Sequence, residues 1–171
     1  MENIYRTSII SPNIVRDSHQ LKNRWSLSQT ELIRKCIENG KDIPSIFPQL
    51  TLNFFDTEKS GFLDLRGLNL SEMKIAETDF AYCVLDYANF CETYFIKTKF
   101  QYSRMISSDF SMTYMQSVQM APVDAMHANF NDATIKDSFL MHSNLDFIES
   151  NNLNLLNTDL KPSSLRKANS I

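Results

Sequence analysis

The sequence predicts an all-β solenoid, a square coil of about five turns with a small α-helical cap at its N-terminal end. Three observations predict it. Large apolar residues recur at every fifth position from Leu65 to Leu165, small residues recur two places earlier, and Asp or Asn recurs between the two stripes.

Residues 1–27 show no apolar period and are expected to form a flexible or loosely docked segment. They are rich in Ser, Ile, Asn and Arg, with a single Leu among the first 25. Residues 28–60 read as the cap. Ser28-Gln29-Thr30-Glu31 has the form of a capping box, and Gly40 is a helix stop. Between them Leu32, Ile33, Cys36 and Ile37 make one apolar face. Pro44 and Pro48 punctuate the connection, and Leu50, Leu52, Phe54 and Phe55 supply extended apolar chain.

Residues 61–171 carry the repeat. The series Leu65, Leu70, Ile75, Phe80, Leu85, Phe90 and onward through Leu165 has 21 positions, of which 20 are apolar and only Ser150 is not. At an apolar content of 43%, about nine would be expected by chance. The small stripe reads Thr78, Cys83, Ala88, Thr93, Thr98, Ser103, Ser108, Thr113, and later Ala128, Ala133, Ser138 and Ser143. A period of five fits neither a helix nor a strand, and requires a chain that turns a corner every five residues. Four such steps close a square, so residues twenty apart should stack at the ~4.8 Å strand spacing. Phe90, Phe110 and Phe130 should then form one column, and Phe80 and Phe100 another. One coil cannot bury enough to fold alone, but stacked coils can.

Ala88-Asn89-Phe90-Cys91-Glu92, Ala128-Asn129-Phe130-Asn131-Asp132 and Ser143-Asn144-Leu145-Asp146-Phe147 show the pattern most plainly. The segment resembles the pentapeptide-repeat proteins, which implies a right-handed quadrilateral β-helix. The entry to the repeat, Gly61-Phe62-Leu63-Asp64-Leu65-Arg66-Gly67-Leu68-Asn69-Leu70, looks like the first coil of pentapeptide-repeat effectors from enteric bacteria. The composition of residues 1–27 looks like the uncleaved export signal of type III secretion substrates. Together these resemblances imply a non-enzymatic scaffold secreted into the host cell cytoplasm, where its partner would be a host protein. The alternative implied by the family is a DNA-mimicking rod that binds or protects DNA gyrase or topoisomerase.

The composition excludes much else. Three cysteines without regular spacing argue against a disulfide framework or a zinc site, and no run approaches a membrane span. Residues 1–62 carry a net +1 and residues 63–171 a net −4, so no phosphate-backbone binder is expected. Within the rod the acidic balance is interrupted by Lys97, Lys99 and Arg104. His19, His127 and His142 have no ligand spacing, and His127 and His142 fall on outward corners. Cys83 lies on the inward stripe, while Cys91 points outward without a histidine at a fixed offset. Catalytic residues, metals, cofactors and small-molecule substrates are therefore not expected.

The outward aromatic content exceeds what the repeat needs. Tyr82 and Tyr102 should stack on one corner, Tyr94 and Tyr114 on the neighbouring face with Ile96 beside them, and Phe139 lies beyond. These six residues are the candidate partner-binding surface. At the far end the register runs to Asn169-Ser170 without a helix or charged plug. Leu155, Leu160 and Leu165 are therefore expected to form an end face, suited to a homodimer through the C-terminal coil, to docking onto a partner, or to a junction with further chain of a longer protein.

Overall fold

The computed structural model describes residues 21–40 and 63–168. The proposed export segment as far as residue 20, the Pro44–Pro48 connection with Leu50–Phe55, and the tail Asn169-Ser170 lie outside the described residues.

Helix α1 spans Leu27–Glu38. Its N-cap is Ser26, whose hydroxyl accepts from the Gln29 amide at 3.2 Å, while the Gln29 side chain accepts from the Ser26 amide at 3.0 Å. The capping box thus sits two residues upstream of the Ser28–Glu31 reading. Gln29 fills the third helical position, and Trp25 pins the chain just before Ser26 by donating its indole N–H to the Arg66 carbonyl at 2.8 Å. The stop is Gly40, at φ +63°, whose amide donates to Ile37 at 3.0 Å. Ile33 and Ile37 are buried and Cys36 is half-buried, but Leu32 is exposed, so the apolar face is narrower than its four residues suggested.

The chain just before α1 is anchored to the first coil. Arg24 pairs with Asp64 at 2.8 Å and lies over the Trp25 ring, and Arg34 of α1 donates to the Ser71 carbonyl at 3.0 Å. Gly67 makes this approach possible. A Cβ there would stand 1.8 Å from the Leu21 carbonyl oxygen, and its φ of +70° costs any other residue about 1–2 kcal/mol. Gly67→Ala should therefore push Leu21–Trp25 off the coil. The expected result is a red shift of Trp25, the single tryptophan, and new tryptic cleavage at Lys22 or Arg24. Unchanged emission would show that the close approach is dispensable.

The repeat forms the expected all-β solenoid, a right-handed quadrilateral β-helix of about five coils. Strands are β1 (Leu63–Asp64), β2 (Lys74–Ala76), β3 (Cys83–Val84), β4 (Tyr94–Ile96), β5 (Tyr114–Gln116), β6 (Thr134–Lys136) and β7 (Asn154–Leu156). One side is a five-stranded parallel sheet in the order β2-β4-β5-β6-β7, and β1 pairs with β3 on another. Every register is twenty residues: Ile75 pairs with Phe95, Phe95 with Met115, Met115 with Ile135 and Ile135 with Leu155. The other two sides are ladders of single bridges, Asn69–Asn89–Asp109–Asn129–Glu149 and Asp79–Lys99–Gln119–Phe139–Asp159.

Each position of the pentapeptide has its physical reason. The large residues fill the shaft, where Phe90 stacks on Phe110 at 4.9 Å, Phe110 on Phe130 at 5.1 Å, and Phe80 on Phe100 at 5.2 Å. The small residues before them sit where two chains approach, and their hydroxyls reach the previous coil: Thr93 donates to Leu70 at 2.7 Å and Ser163 to Leu140 at 2.7 Å. The Asp or Asn between the stripes accepts from the backbone two residues on, as Asn89 does from Cys91 at 3.0 Å and Asp79 from Ala81 at 2.9 Å. The second residue after each shaft residue turns the corner at positive φ, between 50° and 62° for eighteen non-glycine residues, none of them β-branched. Proline cannot adopt that φ. At Pro122 and Pro162 the corner is instead made with a cis peptide bond.

Ser150, the exception in the shaft series, is fully buried all the same. Ile148 occupies the small position before it and is also buried, so bulk has moved two places along the chain and the shaft stays filled.

Candidate protein-binding faces

A square rod distributes its side chains by rule, so each outward column can be read separately. Tyr94 and Tyr114 are partners in β4 and β5, with rings 6.0 Å apart and tilted by 39°. Tyr94 is 57% exposed, and Ile96 at the end of β4 is half-buried. Tyr82 and Tyr102 stack at 5.0 Å on a corner, both exposed. The ladder Asp79–Lys99–Gln119–Phe139 separates that corner from the side bearing Tyr94 and Tyr114. The aromatic pairs therefore form two patches rather than one, because four steps of five residues place a full side between them. Exposed Phe139 belongs to the intervening side.

Two exposed features escaped the sequence reading. Met112, 50% exposed, occupies the corner next to Tyr114. On another corner His127 stacks on Phe147 at 4.9 Å, with the Lys167 ammonium 5.5 Å from the Phe147 ring. Both would have been found by reading each outward column at intervals of twenty.

Charge is sorted as well. Lys97 reaches Glu77 of the preceding coil at 3.4 Å and Lys99 reaches Asp79 at 3.7 Å. Arg104 pairs with Asp86, and Arg166 with Asp146 at 2.6 Å. The cations that interrupt the acidic balance are thus mostly consumed by carboxylates one coil away. Five other carboxylates, Glu72, Glu92, Asp109, Asp132 and Glu149, lie on the Asn69–Glu149 side and the corner that follows it. No Lys or Arg occupies an outward position there, although Arg34 of the cap reaches in at Ser71. Charges elsewhere on the described coils nearly cancel, so the acidic excess is confined to one strip.

Buried carboxylates sit along the β1–β3 side. Burial would raise the Asp64 carboxyl, but hydrogen bonds from Arg66 and Arg24 and their charges hold it below its ordinary value. Burial wins at Asp86 and Asp124, which are pushed up despite Arg104. Burial also raises the Cys83 thiol, in keeping with its place on the inward stripe. His127 and His142 are exposed on corners as expected, and Cys91 is half-buried. Among the described residues no group of His, Cys, Asp or Glu could hold a metal, and no helix is long and apolar enough to cross a membrane. At the C-terminal end Leu155, Leu160 and Leu165 are half-buried and, with Leu153 and Ile148, line an apolar recess.

Residues 74–111 match the family model described as pentapeptide repeats, in eight copies. This stretch of the coil is built of pentapeptide repeats. Its register runs on beyond the matched residues, through Leu165. No curated protein matches the chain. Among solved structures it is similar to the pentapeptide repeat protein Rfr23 of the cyanobacterium Cyanothece 51142, at 16% identity over 58% of this chain and 84% of that one, with a TM-score of 0.40. A pentapeptide repeat protein of the Arabidopsis thaliana thylakoid lumen is 21% identical over 52% of this chain and 65% of its own, with a TM-score of 0.35. QnrB1, a plasmid-mediated fluoroquinolone resistance protein, is 18% identical over 63% and 61%, with a TM-score of 0.38. At these identities the likeness is one of fold.

Proposed function

We propose that the protein is a non-enzymatic protein-binding scaffold, delivered by a bacterial type III apparatus to act on host proteins in the host cytoplasm. The observation that carries the binding role is the Tyr94–Tyr114 ladder, held out from a continuous parallel sheet at positions where the repeat makes no demand on the side chain. A rod pre-organised by twenty-residue registers loses little entropy on binding. The composition of residues 1–27 and the Gly61–Leu70 entry sequence support the delivery route. A homodimer through the C-terminal coil, by way of Leu155, Leu160 and Leu165, is part of the same proposal and is read by sedimentation equilibrium.

The test is capture from host cytosolic extract by the full chain and by Tyr94→Ala/Tyr114→Ala. The variant should keep its stability to within roughly 0.5 kcal/mol at exposed Tyr94 and about 1 kcal/mol at half-buried Tyr114, and lose its partner. Equal capture by both would remove this face from the function. The acidic strip favours a second reading, a rod that binds or protects gyrase or topoisomerase. Inhibition or protection of purified gyrase at sub-micromolar protein in a supercoiling assay would decide for it.

A further inference from the structure

We infer that the five-stranded side is the docking site for one kind of partner segment, a stretch of protein chain that alternates Lys or Arg with apolar residues. The inference rests on the scaffold reading above and names the chemistry of its partner.

Exposed Tyr94 and half-buried Tyr114 make the apolar centre of this side, and among the described residues the cap helix approaches it only at the first strand, β2. Beside that centre runs the corner column Glu72–Glu92–Met112–Asp132, in which neighbours are one coil apart, or ~4.8 Å. Nothing in the turn asks for carboxylates there. The same corner position holds Tyr87, Ser107, His127 and Lys167 elsewhere on the rod, all at the same positive φ.

The fold can also neutralise a stacked acid when it needs to, as Glu77–Lys97 and Asp79–Lys99 show one corner and one side away. Here it does not. Asp132 accepts only from Asn152 at 2.8 Å, and no cation among the described residues pairs with Glu72 or Glu92. Lys74, in β2, and Lys136, beside Asp137 in the corner beyond β6, flank the aromatic centre rather than the acid column.

Like charges stacked at this spacing work against the fold, and a partner's cations would relieve them. The row of carboxylates next to an apolar strip excludes an anionic surface, whether nucleic acid or lipid. It is met by cations that alternate with apolar side chains, the cations over the corner carboxylates and the apolar groups over Tyr94 and Tyr114, with Met112 interrupting the corner column between Glu92 and Asp132. Lys and Arg have the reach to find carboxylates spaced by one and two coils.

The test is fluorescence anisotropy of the full chain with labelled dodecapeptides of alternating Lys–Leu, of Lys alone and of alternating Glu–Leu. Lys–Leu should bind most tightly, weaken with added salt, and lose about tenfold in affinity to the variant Glu72→Gln/Glu92→Gln/Asp132→Asn. Amide side chains already stand at this corner position in Asn152 and Asn157, so the variant should fold. Glu77→Gln/Asp79→Asn should change affinity less than twofold, and Tyr94→Ala/Tyr114→Ala should weaken Lys–Leu but not the Lys homopolymer. Equal affinity of the neutralised variant and the parent, or equal binding of Lys–Leu and the Lys homopolymer, would overturn the inference. If either occurs while the tyrosine variant still loses its captured partner, the scaffold reading stands and only the partner chemistry falls.

Discussion

Phe110→Ala should cost the rod about 3–5 kcal/mol, read as a lower urea midpoint at unchanged slope. The ring is fully buried between Phe90 and Phe130, and meets Phe100 edge-on at 6.2 Å and 86°. Truncation removes its burial and two stacked contacts, the latter worth about 0.5–1.5 kcal/mol each beyond area. The site also has no easy way to collapse. Phe110 is hydrogen-bonded to Asn129, and Asp109 to Ala88, so both neighbouring coils are held at ladder distance and the void persists. Ser150 shows what relief requires, since there Ile148 fills the shaft from two places back. At Phe110 the corresponding residue is Ser108, whose hydroxyl is committed to the Leu85 carbonyl at 2.9 Å. Phe110→Leu, which keeps most of the volume, should lose about 1.5 kcal/mol or less. A loss below about 1 kcal/mol for the alanine variant would mean that the shaft is not the main source of stability.

The shaft was legible because a period of five has one structural solution, and because residues twenty apart must then meet. The columns Phe90–Phe110–Phe130 and Phe80–Phe100 follow from counting alone. What was not legible lies off the period. Arg24 and Trp25 carry no repeat, so nothing in the sequence tied them to Asp64 and Arg66, and their anchoring in turn set the start of α1 at Leu27. The acidic strip was hidden by summation. A net charge reports how many carboxylates lack cations but not which side they occupy, and only pairing along the rod separates the neutralised Glu77 and Asp79 from Glu72 and Glu92. The aromatic pairs were legible as pairs but not as separate patches, since separating them requires tracking the side between two corners. The partner is the least legible of all. Outward positions are free of the repeat's demands, so they carry functional information without a periodic signal to announce it.

Asp64→Ala should be the second most damaging change, at about 3–5 kcal/mol, the usual cost of stripping one partner from a buried ion pair. The Asp64 side chain is 2% exposed and holds Arg66 through Nε at 3.0 Å and Nη2 at 2.9 Å, together with Arg24 at 2.8 Å. Its loss leaves two guanidinium groups facing each other at the joint between cap and coil. Acid should imitate the mutation locally. The carboxyl's folded pKa lies below its ordinary value, so its contribution is complete above the unfolded value of ~3.9 and disappears as pH falls through the folded one. Asp86 and Asp124 act in the opposite sense. Their raised values mean that the fold gains relative stability as pH falls through them, which flattens the acid limb of global unfolding. The two effects separate by probe. Trp25 fluorescence, which reads the cap joint, should show release of the cap in acid while far-UV circular dichroism of the coils hardly changes. In Asp64→Ala the cap should be released already at neutral pH, with no further acid step. Coincident transitions by both probes in the parent chain would show that Asp64 stabilises the whole rod and not the joint.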